Sequence, residues 1–342
     1  MMQRNEVALL PLWLRHHGLL FGLPNLCVID NGSDDPAVLA TLRSAEARGV
    51  HIIRGHMTPA DFAAKGEIVS DIIRGWDRDA DYDLAIPLDC DEFVGVLTDR
   101  LALDRESILA ACAAVCREQG TFLTNRVLLN IPLRPGYFLP QSIQRGLFRA
   151  GTIVTLDHGF HAPVSTMPER WVQTPFVYFH MHNRPDFEAI RAFARQKLYH
   201  LTGGDDRRLA EDRAEGAHLA HYFRTTGEAF EASYRGRPDI YMPGFVPYLT
   251  ELAIDPEPVL GSGGIVLHAA PPEGYLVHKS DPDERRHVFD RFDADWYARE
   301  NLDVATDNFF GIWPLLHFIM HGWDEGRRPH PPGLAPIVIE QG

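Results

Sequence analysis

The run Asn25-Leu26-Cys27-Val28-Ile29-Asp30 breaks abruptly into Asn31-Gly32-Ser33-Asp34-Asp35-Pro36. A short apolar segment that ends in a polar turn reads as a buried strand, and the residues after it suit the first turn of a helix. The pattern then recurs. A helix is expected over 37–48, stopped by Gly49, and Val50-His51-Ile52-Ile53-Arg54 supplies the next strand. Another helix is expected over 59–76, and the apolar run 82–88 empties into Asp89-Cys90-Asp91-Glu92-Phe93. Strands alternating with helical stretches predict an α/β fold with a mixed, mainly parallel sheet flanked by helices, in which ligands sit beyond the carboxyl ends of the strands. Asp30 and Asp89 both fall at such ends. Ahead of them Val7, Leu10, Trp13, Leu14 and His17 share one helical stripe, with Gly18 and Gly22 as stop signals.

Between 120 and 185 the texture changes to short apolar runs punctuated by proline and glycine, which predicts an additional mixed or antiparallel sheet region. Charge-rich helices are expected over 186–202 and 207–225. A Pro/Gly-rich linker is expected over 255–282, and a compact aromatic helical module follows, carrying Phe292, Trp296, Tyr297, Phe309, Phe310, Trp313, Leu316, Phe318 and Trp323. At 342 residues the chain is long enough for roughly two domains or one large one.

Composition narrows the function classes. With 45% hydrophobic and 23% charged residues the chain resembles an ordinary globular protein, neither disordered nor a membrane bundle. Its net charge of -14 repels nucleic-acid backbones and anionic lipid, so nucleic acid is not an expected partner. Four cysteines are too few for a disulfide scaffold of this size, and a reducing cytoplasm is the expected compartment. No export signal opens the chain and no run of about 18 apolar residues interrupts it, so no transmembrane segment is expected.

Asp89 and Asp91, followed by Glu92, form a cluster of hard oxygen ligands at a strand end that suits Mg²⁺ or Mn²⁺. Close like charges repel, and a cation relieves them. Alone, Asp-x-Asp is also a common solvated turn, and Asp30-Asn31-Gly32-Ser33 alone is an ordinary Asx turn. Together with Arg4-Asn5-Glu6, Trp13, His16-His17 and Lys65, however, they are similar to the bacterial glycosyltransferases related to families 2 and 92, over residues 1 to 200. That resemblance implies a GT-A fold and transfer of a sugar from a nucleotide diphosphate, a UDP-sugar being favoured, to a hydroxyl of a surface polysaccharide or its precursor, with inversion. It implies a nucleotide site drawn from Arg4, Asn5, Glu6, Asp30, Asn31, Lys65 and Asp89, with Asp91 and Asp89 at the metal. The implied organisation is a nucleotide-sugar half at 1–95, an acceptor-side half at 96–202, a helical segment and linker at 203–285, and the aromatic module at 286–332. That module resembles a short unit recurring in bacterial glycan-assembly proteins. Relatives usually carry a complete first strand before the Arg-Asn-Glu segment. Here Met1-Met2-Gln3 leaves hardly any room for one, so a late start or a clipped chain is expected, with a weakened nucleotide-binding centre.

Of the 17 histidines, His158, His161, His180 and His182 flank short apolar runs. GT-A enzymes often complete the metal shell with a late histidine, here His161 or His180, and imidazole favours Mn²⁺ over Mg²⁺. Activation of an acceptor hydroxyl needs a general base, and Glu169, Asp157, Glu92 and Asp186 are the candidates, with Glu169 preferred for its place in a loop beside Trp171. The resemblance implies a glycan or glycolipid acceptor, and a membrane-linked one would be met by peripheral contact. A nucleotidyltransferase is the rival on the same fold, but its glycine-rich, lysine-bearing opening loop is missing. The non-enzyme rival is a degenerate GT-A domain acting as a carbohydrate-binding or assembly subunit.

Overall fold

The computed structural model describes residues 1–79, 81–97, 101–131, 136–141, 143–184, 186–211, 216–234, 238–241, 245–253, 275–279, 286–289, 292–307, 310–311, 314–322 and 325–333. The expected linker lies outside them except for 275–279, as do Phe309, Trp313 and Trp323 of the aromatic module. The N-terminal part runs β1 (Met2–Gln3), α1 (Leu9–Phe21), β2 (Cys27–Asp30), α2 (Pro36–Ala47), β3 (His51–Ile53), α3 (Pro59–Ala63), α4 (Lys65–Asp79) and β4 (Leu84–Ala85). Strands β1, β2 and β3 form a parallel sheet in that order, with Met2 opposite Ile29 and Val28 opposite Ile52. The segment ahead of Arg4 therefore does hold a strand, short as it is, and the Met1 amine donates to the Cys27 carbonyl at 2.8 Å.

Local chemistry explains the boundaries. Asp35 caps α2 by accepting from the N–H groups of Ala37 and Val38, and Pro36 occupies the first turn. The single helix expected over 59–76 is two. Thr58 and Asp61 form a capping box for α3, and α4 starts afresh at Lys65. Gly66 lets the backbone of Leu156 and Asp157 pass against the start of α4, because a Cβ there would lie 2.2 Å from the Leu156 carbonyl oxygen. The expected strand over 82–88 shrinks to β4, since Pro87 has no N–H for a ladder.

The chain continues through β5 (Glu92–Leu97), β6 (Leu101–Ala102), α5 (Arg105–Val115), β7 (Thr121–Leu123), β8 (Arg126–Asn130), β9 (Tyr137–Gln141), β10 (Gly146–Arg149), β11 (Ile153–Thr155), β12 (Val164–Ser165), β13 (Trp171–Gln173), β14 (Phe176–His180) and α6 (Phe187–Lys197). One sheet has the order β13-β7-β10-β4, and a longer one contains β9-β8-β14-β5-β6 and continues past β9 with Pro238–Tyr241, Tyr275–Lys279 and Arg286–Phe289. The molecule is thus mixed α/β with several sheets. Only four of the thirteen strand pairs among the described residues are parallel, so the expected mainly parallel character is confined to the start of the chain. Two further parallel pairs, β13 with β7 and β14 with β8, sit among antiparallel neighbours in the two later sheets. The helix expected over 207–225 breaks at Gly216, which takes φ +70°, into the short helix Ala217–Ala220 and a single 3₁₀ turn, His221–Phe223.

One apolar cluster joins Leu10 and Trp13 of α1, Val28 of β2, Phe93 of β5, Phe122 of β7 and Tyr178 of β14 to Tyr297, Val304 and Phe318 of the C-terminal helices. A boundary at 95 falls inside β5. A second cluster, with Met2, Ile29, Ile68, Ala85 and Phe148, ties the parallel sheet to the four-stranded one. Among the described residues no helix is long and apolar enough to cross a membrane.

Candidate functional site

The turn Asp89-Cys90-Asp91 leads directly into β5, and the antiparallel register of β5 with β14 sets Glu92 opposite His180. The Met181 N–H extends that ladder by donating to the Asp91 carbonyl at 2.7 Å. The start of one strand and the end of the other therefore bring Asp91 beside His180, with Oδ2 3.5 Å from Nε2. His182 follows two residues on, a spacing that returns a side chain to the same side of an extended chain. One ligand atom each from Asp91, His180 and His182 lie within 4.8 Å of one another. One carboxylate and two imidazoles fit a divalent cation such as Mn²⁺ better than Mg²⁺, which prefers all-oxygen shells. His182 Nε2 is 2.9 Å from the Tyr222 hydroxyl, so a cation on this ring takes Nδ1.

Positive groups crowd the carboxylates. Lys65, at the start of α4, places Nζ 2.6 Å from Asp89 Oδ1 while lying over the Phe160 ring at 4.4 Å. The Asp89 N–H donates to Glu92 Oε2 at 2.9 Å, and Glu92 Oε1 accepts from Arg145 Nε at 2.7 Å. Burial by itself raises the Asp89 carboxyl, but Lys65, Lys197 and Arg145 outweigh it and hold the group below the usual carboxylate range. Asp91 behaves alike: burial raises it, and His180, Lys197 and Arg184 together bring it well down. Both are anions at neutral pH. On the third side Glu6 lies 3.3 Å from Arg184 and 4.0 Å from Lys197, yet burial dominates and its carboxyl is raised. Asp186 caps α6 and thereby fixes the helix whose last residue is Lys197.

A cleft lined by Arg4, Glu6, Asn31, Phe62, Lys197 and Tyr199 opens next to this cluster and shares Glu6 and Lys197 with it. Arg4 stacks over the Tyr199 ring at 5.2 Å, and its carbonyl accepts from the Gln196 amide. Asn5 and Asp30 stand behind the cleft as latches. Asn5, at φ +52°, accepts from the N–H groups of Asp34 and Asp35 and donates to Asp34 Oδ1 at 2.7 Å. Asp30 accepts from Gln3 Nε2 at 2.8 Å and from the Ser33 N–H at 3.2 Å. Asn31 donates to the Thr58 carbonyl at 3.3 Å and holds the entry to α3.

Several sequence-based expectations are redistributed by this geometry. The metal ligands expected at Asp89 and His161 are not in the triad, because Asp89 is ion-paired with Lys65 and His161 Nδ1 sits 3.8 Å from Asp157. Of the proposed bases, Glu92 is fully buried in its pair with Arg145, and Asp157 accepts from the N–H groups of Gly159 and Ala162 in its own loop. Glu169 is exposed, and among the described residues no hydrogen bond or ion pair links it to the cluster. The sequence signal for the imidazole pair is the His-x-His spacing at a strand end. Arg145 and Arg184 have no local signal, since each reaches its carboxylate across the fold. No family model matches the chain, and no curated protein does either.

Proposed function

We propose that this chain is a metal-dependent glycosyltransferase of GT-A type, moving a sugar from a nucleotide diphosphate, a UDP-sugar in preference, to a hydroxyl of a surface polysaccharide or its precursor. The convergence of Asp91, His180 and His182 beside Lys65, Lys197 and Arg184 carries this reading. A departing diphosphate needs positive charge close at hand, and a fixed array of cations supplies it without reorganisation. When bound, a divalent cation would act as the Lewis acid on the leaving diphosphate.

The residues of the chain divide the remaining work. Asp91, His180 and His182 would hold the cation. Lys197, drawn toward Asp91 and Glu6, lines the cleft beside the triad and would meet the phosphate oxygens of a bound nucleotide. Arg4, Phe62 and Tyr199 give the cleft a flat aromatic and cationic wall suited to a nucleobase. Glu92 and Arg145 keep the Asp89 backbone in place, so that Asp89 and Lys65 present a fixed polar edge.

Thermal melting with UDP, GDP, CMP and dTDP, each with and without Mn²⁺, tests the reading. Ligand at a hundred times its Kd adds about 2.7 kcal/mol to native stability. The expected result is a rise in Tm that needs both one nucleotide and the metal and disappears in Asp91→Ala. No rise with any pair overturns the proposal.

A further inference from the structure

A second cleft is lined in part by Gln144, the residue before Arg145 of the Glu92–Arg145 pair. Leu123 of β7, Ile143 and Gln144 ahead of β10, His161 and Trp171 of the edge strand β13 line it. Trp171 is 56% exposed and Ile143 42% exposed, an unusual outlay of apolar surface on one edge. Gln144 Nε2 donates to Gln173 Oε1 at 2.6 Å and to the Thr124 carbonyl at 2.7 Å, so the Gln144 amide of the cleft wall is tied to Gln173, two residues beyond Trp171. The protein packed on one side of the His161 ring, together with the Arg145 guanidinium, pushes that histidine down to about 4. The lining residues Leu123, Ile143, Gln144, His161 and Trp171 include no carboxylate, lysine or arginine, and the charge paired with the His161 ring is Asp157 at 3.8 Å.

The cleft adjoins the carboxylate cluster. Gln144 faces it while the next residue, Arg145, pairs with Glu92, and His161 feels the charges of Asp89 and Lys65. An apolar aromatic face flanked by paired amide donors and acceptors matches a molecule with a C–H face and a rim of hydroxyls.

We propose that this cleft binds an uncharged oligosaccharide, with the Trp171 indole under one sugar ring and the Gln144 and Gln173 amides bonding its hydroxyls. Its role as the acceptor subsite rests on the glycosyltransferase reading, whereas the binding itself does not. The acceptor class is then a neutral glycan.

Saturation-transfer NMR and calorimetric titration of the full chain, without metal or nucleotide, test this with maltohexaose, cellohexaose, chitohexaose and mannohexaose, against hexagalacturonate as the charged counterpart. At least one neutral hexasaccharide is expected to bind and hexagalacturonate is not. Trp171→Ala should weaken binding at least about tenfold, the scale of an interface hot spot, while Trp171→Phe keeps most of it. Asp91→Ala should leave it unchanged. Absence of binding by all four neutral sugars, equal binding of hexagalacturonate, or full affinity in a folded Trp171→Ala overturns the proposal. If Trp171→Ala does not fold, Gln173→Ala takes its place and is expected to weaken binding severalfold. Sugar binding without any nucleotide–Mn²⁺ shift would sink the donor site and leave the cleft standing, and the reverse result would do the opposite.

Discussion

Tyr222 acts on the triad from outside the ligand set, through His182. Its hydroxyl is buried and held protonated by that burial, and it lies 2.9 Å from His182 Nε2. With a cation on Nδ1, the Nε2 proton is donated to the Tyr222 oxygen, which fixes the ring's tautomer and its orientation. Tyr222→Phe keeps the ring that packs against Phe187 and Phe230 and removes only that oxygen. Affinity for Mn²⁺, read from the electron paramagnetic resonance signal of free ion, should fall by about 10- to 100-fold with little change in Tm. Unchanged affinity would reduce Tyr222 to packing. Asp91 is legible in the sequence because it belongs to a local cluster of carboxylates at a strand end. Tyr222 is not, since it comes from a short helical turn 40 residues beyond His182 whose place depends on tertiary packing.

At the scale of elements, α1 substitutes for a missing strand. Val94 of β5 lies opposite Tyr178 of β14, and the backbone groups it turns the other way are met by two side chains of α1. His16 Nε2 donates to the Val94 carbonyl at 2.8 Å while its Nδ1 accepts from Tyr248, and His17 Nε2 accepts from the Val94 N–H at 3.4 Å. Burial pushes His16 down to about 4. Above pH 6.5 the ring is neutral in both native and unfolded chains and contributes no proton-linked term. Below it the unfolded chain takes up a proton that the native ring refuses, so stability falls as pH drops from 6.5 toward 4. His16→Leu leaves the Val94 carbonyl and the Tyr248 hydroxyl without this partner and should cost about 1–3 kcal/mol at pH 7.5 in urea unfolding. Between pH 7.5 and 5 the gap to wild type should narrow by about 2 kcal/mol, and a constant gap would refute the assignment. The amphipathic stripe of α1 and the strand–turn–helix rhythm through β3 are visible in the sequence, because local periodicity sets them. The antiparallel pairing of β5 with β14, which assembles the triad, joins segments some 80 residues apart and leaves no periodic trace.

For the whole molecule, the question is whether the C-terminal helices fold as a separate unit. The aromatic spacing in the sequence suggests a compact module, but its inner face belongs to the main core. Tyr297 is 0% exposed in the same cluster as Phe93 and Tyr178, its hydroxyl lies 3.0 Å from His317 Nδ1, and Gly322 packs so close that a Cβ would stand 2.1 Å from that oxygen. Asp303 and Glu325 both pair with Arg327 and close the module on itself, yet these exposed pairs add little compared with burial of the aromatic side chains. A shared apolar core couples its parts, since exposing one face exposes the other. Thermal unfolding followed by calorimetry should therefore show one transition, with equal calorimetric and van't Hoff enthalpies. Tyr297→Ala should cost about 3–5 kcal/mol, as for other large aromatic truncations, and lower that single Tm. Two transitions, with only the lower one moved by Tyr297→Ala, would instead show that the tail folds apart from the sheets and that its share of the common core is a docking contact.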